Sequence, residues 1–161
     1  MRRMYSKPQL LEAVEQEAEV NGLKAFENIV DKDGHKRFIE GTPTNPTIEG
    51  VEITYAKWSL SGTHLMLVMA GNVASTTVLD YNFIFVFDLP QWIKDKIFPV
   101  SSTYIEFKSI NFYKSFNAQN VTIQVRKNSS TGNIEIQPAS STTMNDDRSF
   151  RMQFDLLIDN E

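Results

Sequence analysis

The sequence predicts a mainly β protein, an antiparallel sandwich or barrel preceded by a short helix and hairpin. Three observations lead there. From residue 51 onward, apolar residues recur with a period of two. Turn and loop compositions, "GNVAST" (71–76), "NSSTGN" (128–133) and "PASSTTMNDDRS" (138–149), punctuate these runs at roughly ten-residue spacing. No long segment of helical period intervenes. The chain has 161 residues, eleven of them phenylalanine, which suffices for one core of useful size.

Ser6-Lys7-Pro8-Gln9 forms a capping box with proline in the first turn. Leu11, Val14 and Ala18 then follow at spacings of three and four, and Asn21-Gly22 supplies a stop, so a helix is expected over residues 7–21. Its apolar stripe is thin, which suits either packing on its own domain or a short bundle with copies of itself. Next, Ile29-Val30 and Phe38-Ile39 flank Asp33-Gly34, a hairpin signal because the tight turn requires positive φ. "GTPTNPTIEG" (41–50) reads as a linker. The expected division is 1–41, an attachment and oligomerisation segment of helix and hairpin, and 42–161, a head domain.

Within the head, Val51, Ile53 and Tyr55 begin a strand. Leu65–Ala70 and Tyr81–Phe87 are apolar on both faces and are expected as central strands covered on both sides. Trp92, Ile93, Lys96 and Ile97 in "LPQWIKDKI" (89–97) are expected to make a short helical turn that plugs one end. Further strands are expected at Tyr104–Lys108, Ile110–Tyr113, Val121–Val125 and Ile134–Ile136. In the last strand Phe150, Met152, Phe154, Leu156 and Ile158 point one way. Arg151, Gln153, Asp155 and Asp159 point the other, with Leu157 the apolar exception on that face.

Composition narrows the chemistry. The formal net charge is −4 without clustered Lys and Arg, which argues against nucleic acid and against an acidic membrane surface. With no cysteine there are no disulfides, thiol nucleophiles or thiolate metal sites. No stretch reaches the roughly 20 apolar residues that cross a bilayer. The N-terminus lacks an apolar run of signal-peptide length, so manufacture in a cytoplasm without an export signal is expected.

Candidate chemistry is sparse. His64 follows the Ser61-Gly62 turn and stands next to Thr63. There is no G-x-S-x-G elbow, and the position reads as a structural or surface residue where a strand begins. Asp31, Asp33 and His35 alternate around the hairpin turn and suggest a metal site. The turn breaks that alternation, however, and the further oxygen ligands of a calcium loop are missing. "NDDR" (145–148) is an acidic loop tip able to bind a cation or form a local Asp–Arg pair, with a solvated loop as the default reading. Trp58, Trp92, Tyr104, Tyr113 and Phe116 are able to stack on sugar rings where exposed, although core or subunit interface is the default reading. Trp58 and Tyr55 face opposite ways in a regular strand, so at least one is expected to be buried. The run Phe112–Phe116 cannot bury all its rings. No catalytic, cofactor-binding or metal-ligating residue is expected.

"YAKWSLSGTHLMLVMAGNVA", "LPQWIKDKI", "TGNIEIQP" and the closing "FRMQFDLLID", behind a helix, a hairpin and a Pro/Thr linker, resemble bacteriophage head-fibre and receptor-binding-tip proteins with a TNF-like jelly-roll head. The resemblance implies a non-enzymatic virion component, a homotrimer attached to other virion proteins through its N-terminal segment. It would adhere to a host-surface glycan or protein through loops 71–77, 114–120 and 138–149, without nucleic acid or membrane insertion. The alternative is a carbohydrate-binding or adhesin module of a bacterium or prophage. A sandwich-fold hydrolase would require two carboxylates converging in a groove.

Overall fold

The fold is seen in a computed structural model that describes residues 29–43, 47–82, 85–97 and 104–159. Its strands are β1 (Phe38–Gly41), β2 (Val51–Ser61), β3 (His64–Val73), β4 (Val78–Leu79), β5 (Phe85–Phe87), β6 (Tyr104–Lys114), β7 (Asn117–Lys127), β8 (Ile134–Pro138), β9 (Thr142–Thr143) and β10 (Arg148–Leu157). Among the described residues a single helical turn, α1 (Gln91–Lys94), lies between β5 and β6. Eight strands form one sheet in the order β1-β2-β3-β10-β6-β7-β8-β5, and β4 pairs with β9 apart from it. The mainly β, antiparallel expectation holds. The helix expected over residues 7–21 lies outside the described residues.

Two meanders meet at the last strand. β10 pairs with β3 along its whole length, from Arg148↔Val73 to Leu157↔His64, but with β6 only at Ser149↔Tyr113. Beyond that point β6 and β10 part and the sheet curls, so the inner faces of both meanders enclose one core. Phe112 of β6 and Phe150 of β10 lie at the crease, ring centroids 5.1 Å apart. The alternation in β10 is as expected: Phe150, Met152, Phe154, Leu156 and the following Ile158 are buried, while Leu157 is exposed.

β2 shows how a bulge changes the reading of a strand. Val51 and Ile53 pack against the core, then the register shifts between Ile53 and Tyr55, and Ala56, Trp58 and Leu60 turn inward. Tyr55 is therefore exposed and Trp58 buried, as expected for one of the pair. Opposite the bulge, β3 requires glycine: a Cβ on Gly71 would collide with the Glu52 carbonyl oxygen.

Several expectations are corrected. Tyr81–Phe87 is not a central strand. Among the described residues of this run the strand is Phe85–Phe87, an edge strand paired with β8 alone, with Phe85 and Phe87 buried and Tyr81 exposed. β3 is central, yet on its outer face only Val68 is buried, whereas Met66 and Ala70 are half-buried. Residues 71–73 of the expected loop continue β3, and the two strands expected at 104–113 are one, β6. The segment 38–41 runs at the edge of the same sheet, beside β2. A short helical turn lies where expected but ends at Lys94, leaving Lys96 and Ile97 beyond it. Ile93 and Ile97 are fully buried, and Ile97 bridges to Ile158.

Opposite faces of β10 should respond differently to truncation. Phe154→Ala removes a fully buried ring and should cost about 3–5 kcal/mol. Arg151→Ala, on the exposed face, should stay within about 0.5 kcal/mol. Urea denaturation of both variants measures the difference.

Candidate functional site

His64 sits exposed at the first position of β3, opposite Ser61 and Leu157. Neither cross-strand neighbour is the carboxylate that a triad needs behind the ring, and the surroundings are those of a strand end.

The hairpin turn brings Asp31, Asp33 and His35 together, with their ligand-type atoms within 4.8 Å of one another. Asp31 N–H donates to the His35 carbonyl (2.8 Å), closing a loop in which Gly34 adopts φ +84°. The buried Asp31 carboxylate accepts from the Asp33 and His35 backbone N–H groups (2.9 and 2.8 Å). Lys96, from the segment after α1, places its ammonium 2.6 Å from Asp31 Oδ2 and 3.2 Å from Asp33 Oδ2. The lysine thus supplies the positive charge that a metal would bring. His35 stacks on Trp92 at 4.3 Å with a 3° interplanar angle. This is a latch tying the hairpin to the plug. Burial pushes the Asp31 carboxyl up, but the Lys96 ammonium and the two backbone N–H groups outweigh it and hold the group well below the usual carboxylate range. Its hydrogen bond to Asp31 in turn raises Lys96 above the ordinary lysine value.

The 145–148 loop is anchored rather than merely solvated. Arg148 is buried, donating to Asn145 Oδ1 (2.7 Å) and to the Phe112 and Asn117 carbonyls (3.1 Å each). Asp147 Oδ1 accepts from the Ser75 N–H (2.7 Å), and Asp146 pairs with Lys114 (2.6 Å). Beside it runs a groove of about 590 Å³ crossed by Glu52, Asn72 and Ser149. These three hydrogen-bond one another, Ser149 Oγ to Asn72 Oδ1 (2.8 Å) and Asn72 Nδ2 to Glu52 Oε2 (3.1 Å).

Where β6 and β10 part, Lys108 spans the opening, donating to the Gln153 carbonyl (2.7 Å) over the Phe154 ring. Glu106 lies nearby with Oε2 buried and lacking a hydrogen-bond partner among the described residues. Burial pushes its carboxyl up, Lys108 opposes this, and Asp155 adds to it. The pairing that creates this environment joins residues far apart in sequence, so no local signal marks it.

The remaining feature is the outer face of the β6–β7 hairpin. Phe107, Ser109, Asn111 and Tyr113 of β6 pair with Gln124, Thr122, Asn120 and Ala118 of β7, none of them charged. Ser109 donates to Asn120 Oδ1, Asn120 Nδ2 to Asn111 Oδ1 (2.9 Å), and Asn111 Nδ2 to the Tyr113 hydroxyl (3.3 Å). Phe107 and Tyr113 are each more than half exposed at the ends of this network, and Tyr104 stacks on Phe107 at 5.9 Å. Of the aromatic residues singled out from the sequence, Trp58 is buried and Trp92 is stacked in the latch. Tyr104, Tyr113 and Phe116 are exposed, with Phe116 fully so on the hairpin turn. Period-two alternation of Ile110 and Phe112 against neutral polar residues was the available signal for this face.

No family model matches the chain, and neither a curated protein nor a solved structure matches it.

The latch should be pH-limited on both sides. Asp31 titrates lower in the folded state, so its contribution is complete above the unfolded carboxylate range, about pH 4, and is lost as pH falls below it. Lys96 titrates higher when folded, so its contribution is complete below about pH 10 and is lost as pH rises beyond it. Asp31→Asn should lower amide-exchange protection at Asp33 and His35 about 30-fold at neutral pH, equivalent to about 2 kcal/mol, and flatten the acid limb. Unchanged protection would show that the latch carries no stability.

Proposed function

We propose that the chain is a non-enzymatic virion structural protein of bacteriophage, a trimeric head-fibre, decoration or receptor-binding component. The observation that supports this is an apolar row along the outer face of the central strand β3. Met66 and Ala70 are half-buried on either side of buried Val68, Tyr55 is half exposed beside Ala70, and Leu157 is half exposed at the far end opposite His64. Lys57, Arg151, Gln153 and Asp155 of the flanking strands rim the row. Such a row, apolar along its middle and polar at its rim, suits burial against sister chains around a closed symmetry axis. The jelly-roll, TNF-like form of the head belongs to the same proposal. It is supported by the return of the last strand to the middle of the sheet, between β3 and β6, as in a Greek-key connection. The N-terminal segment would attach the head to other virion proteins.

A carbohydrate-binding or adhesin module of a bacterium or prophage is the second reading, favoured by the exposure of Tyr104 and Tyr113. Light scattering separates the two. A virion trimer has three times the chain mass, and Met66→Lys with Leu157→Lys should reduce it to one chain. A wild-type monomer would contradict the trimeric reading.

A further inference from the structure

We propose that the outer face of the β6–β7 hairpin binds a neutral polysaccharide chain laid along β6. This deepens the receptor-binding part of the function proposed above and rests on it.

The ends of the face are aromatic. Phe107 and Tyr113, 58% and 51% exposed, are six residues apart on one face of a strand, a span of about 20 Å. That length accommodates several sugar units. A planar ring held on a rigid strand offers an apolar platform to the C–H face of a sugar at little cost in conformational entropy. Tyr104 braces Phe107 from one side, which fixes that platform.

Between the platforms the groups are hydroxyls and amides. The Ser109, Asn120, Asn111 and Tyr113 chain of hydrogen bonds holds each side chain in place while leaving amide N–H groups and hydroxyl lone pairs outward. A fixed row of neutral donors and acceptors between apolar platforms matches a ligand whose hydroxyls alternate with C–H surface.

Charge selects among occupants. The four β6 positions and their four β7 partners carry no ionisable group other than the Tyr113 phenol. Phosphate, sulfate or carboxylate ligands call for Arg or Lys; this row offers neither, and Arg126, opposite Tyr104 at its end, is paired with Glu135 at 2.8 Å. A sister chain is better served by the apolar row Met66, Val68 and Ala70 of β3 than by a hydrogen-bonded amide row. A neutral polyhydroxylated chain is the occupant that the face fits.

Isothermal titration of the full chain against soluble neutral glucan, mannan and galactan, with an anionic glycosaminoglycan for comparison, tests the proposal. At least one neutral polymer should bind, with affinity unchanged between about 0.1 and 1 M salt because no ion pair is screened. Phe107→Ala and Tyr113→Ala should each weaken binding about tenfold, and Arg151→Ala should leave it unchanged. Absence of binding to every neutral polymer, preference for the anionic one, or full binding by a folded Phe107→Ala/Tyr113→Ala double variant would overturn the inference. A trimer that binds no neutral polymer overturns this inference alone. A monomer that binds one overturns the assembly reading and leaves the glycan face standing.

Discussion

β10 closes the molecule: it is buried along one face, paired with β3 over its whole length, and joined to β6 at Ser149↔Tyr113. Without it, β1-β2-β3 and β6-β7-β8-β5 would be separate meanders, each with an apolar face in water. Because β6 leaves β10 after one pairing, the sheet curls there instead of lying flat, and Phe112 and Phe150 fill the crease. The curl puts the two outer faces on different sides, one with the apolar row of β3 and one with an amide row between exposed rings.

That separation organises the proposed function. A module that assembles through one surface and recognises through another needs two faces of different chemistry on one rigid body. Edge devices keep the body from pairing further. Among the described residues the edge strands β1 and β5 run for four and three residues, which limits the backbone they offer to another sheet. The latch between Asp31 and Lys96 ties the hairpin to the plug at one end, and Arg148 ties the 145–148 loop to the β6–β7 turn at the other.

What was readable in the sequence was local. β10 was legible because one face is all apolar and buried, and Phe112 and Tyr113 divide between core and surface as a strand requires, with Phe116 exposed on the turn. The β2 bulge was not legible, because one extra residue at Thr54 reverses side-chain parity without a compositional mark. Tyr81–Phe87 misled because consecutive apolar residues read as a covered central strand, whereas the chain uses Phe85 and Phe87 at an edge to fill the core. The latch needed Asp31 and Lys96 to meet across 65 positions, which no local pattern records. The β6–β7 turn hid itself because Ser115, at φ +51°, holds a position where glycine is the usual signal. With the turn unread, the row of amides facing one another across the hairpin was unread too.

The most direct test of β10 as the closing strand is native-state hydrogen exchange along it. The account predicts that the amides of Met152, Phe154 and Leu156 exchange only through global unfolding, with the same free energy as the most protected amides of β3 and β7. If β10 instead opens at markedly lower free energy while β6–β8 stay protected, the two meanders hold together without it and the account is contradicted.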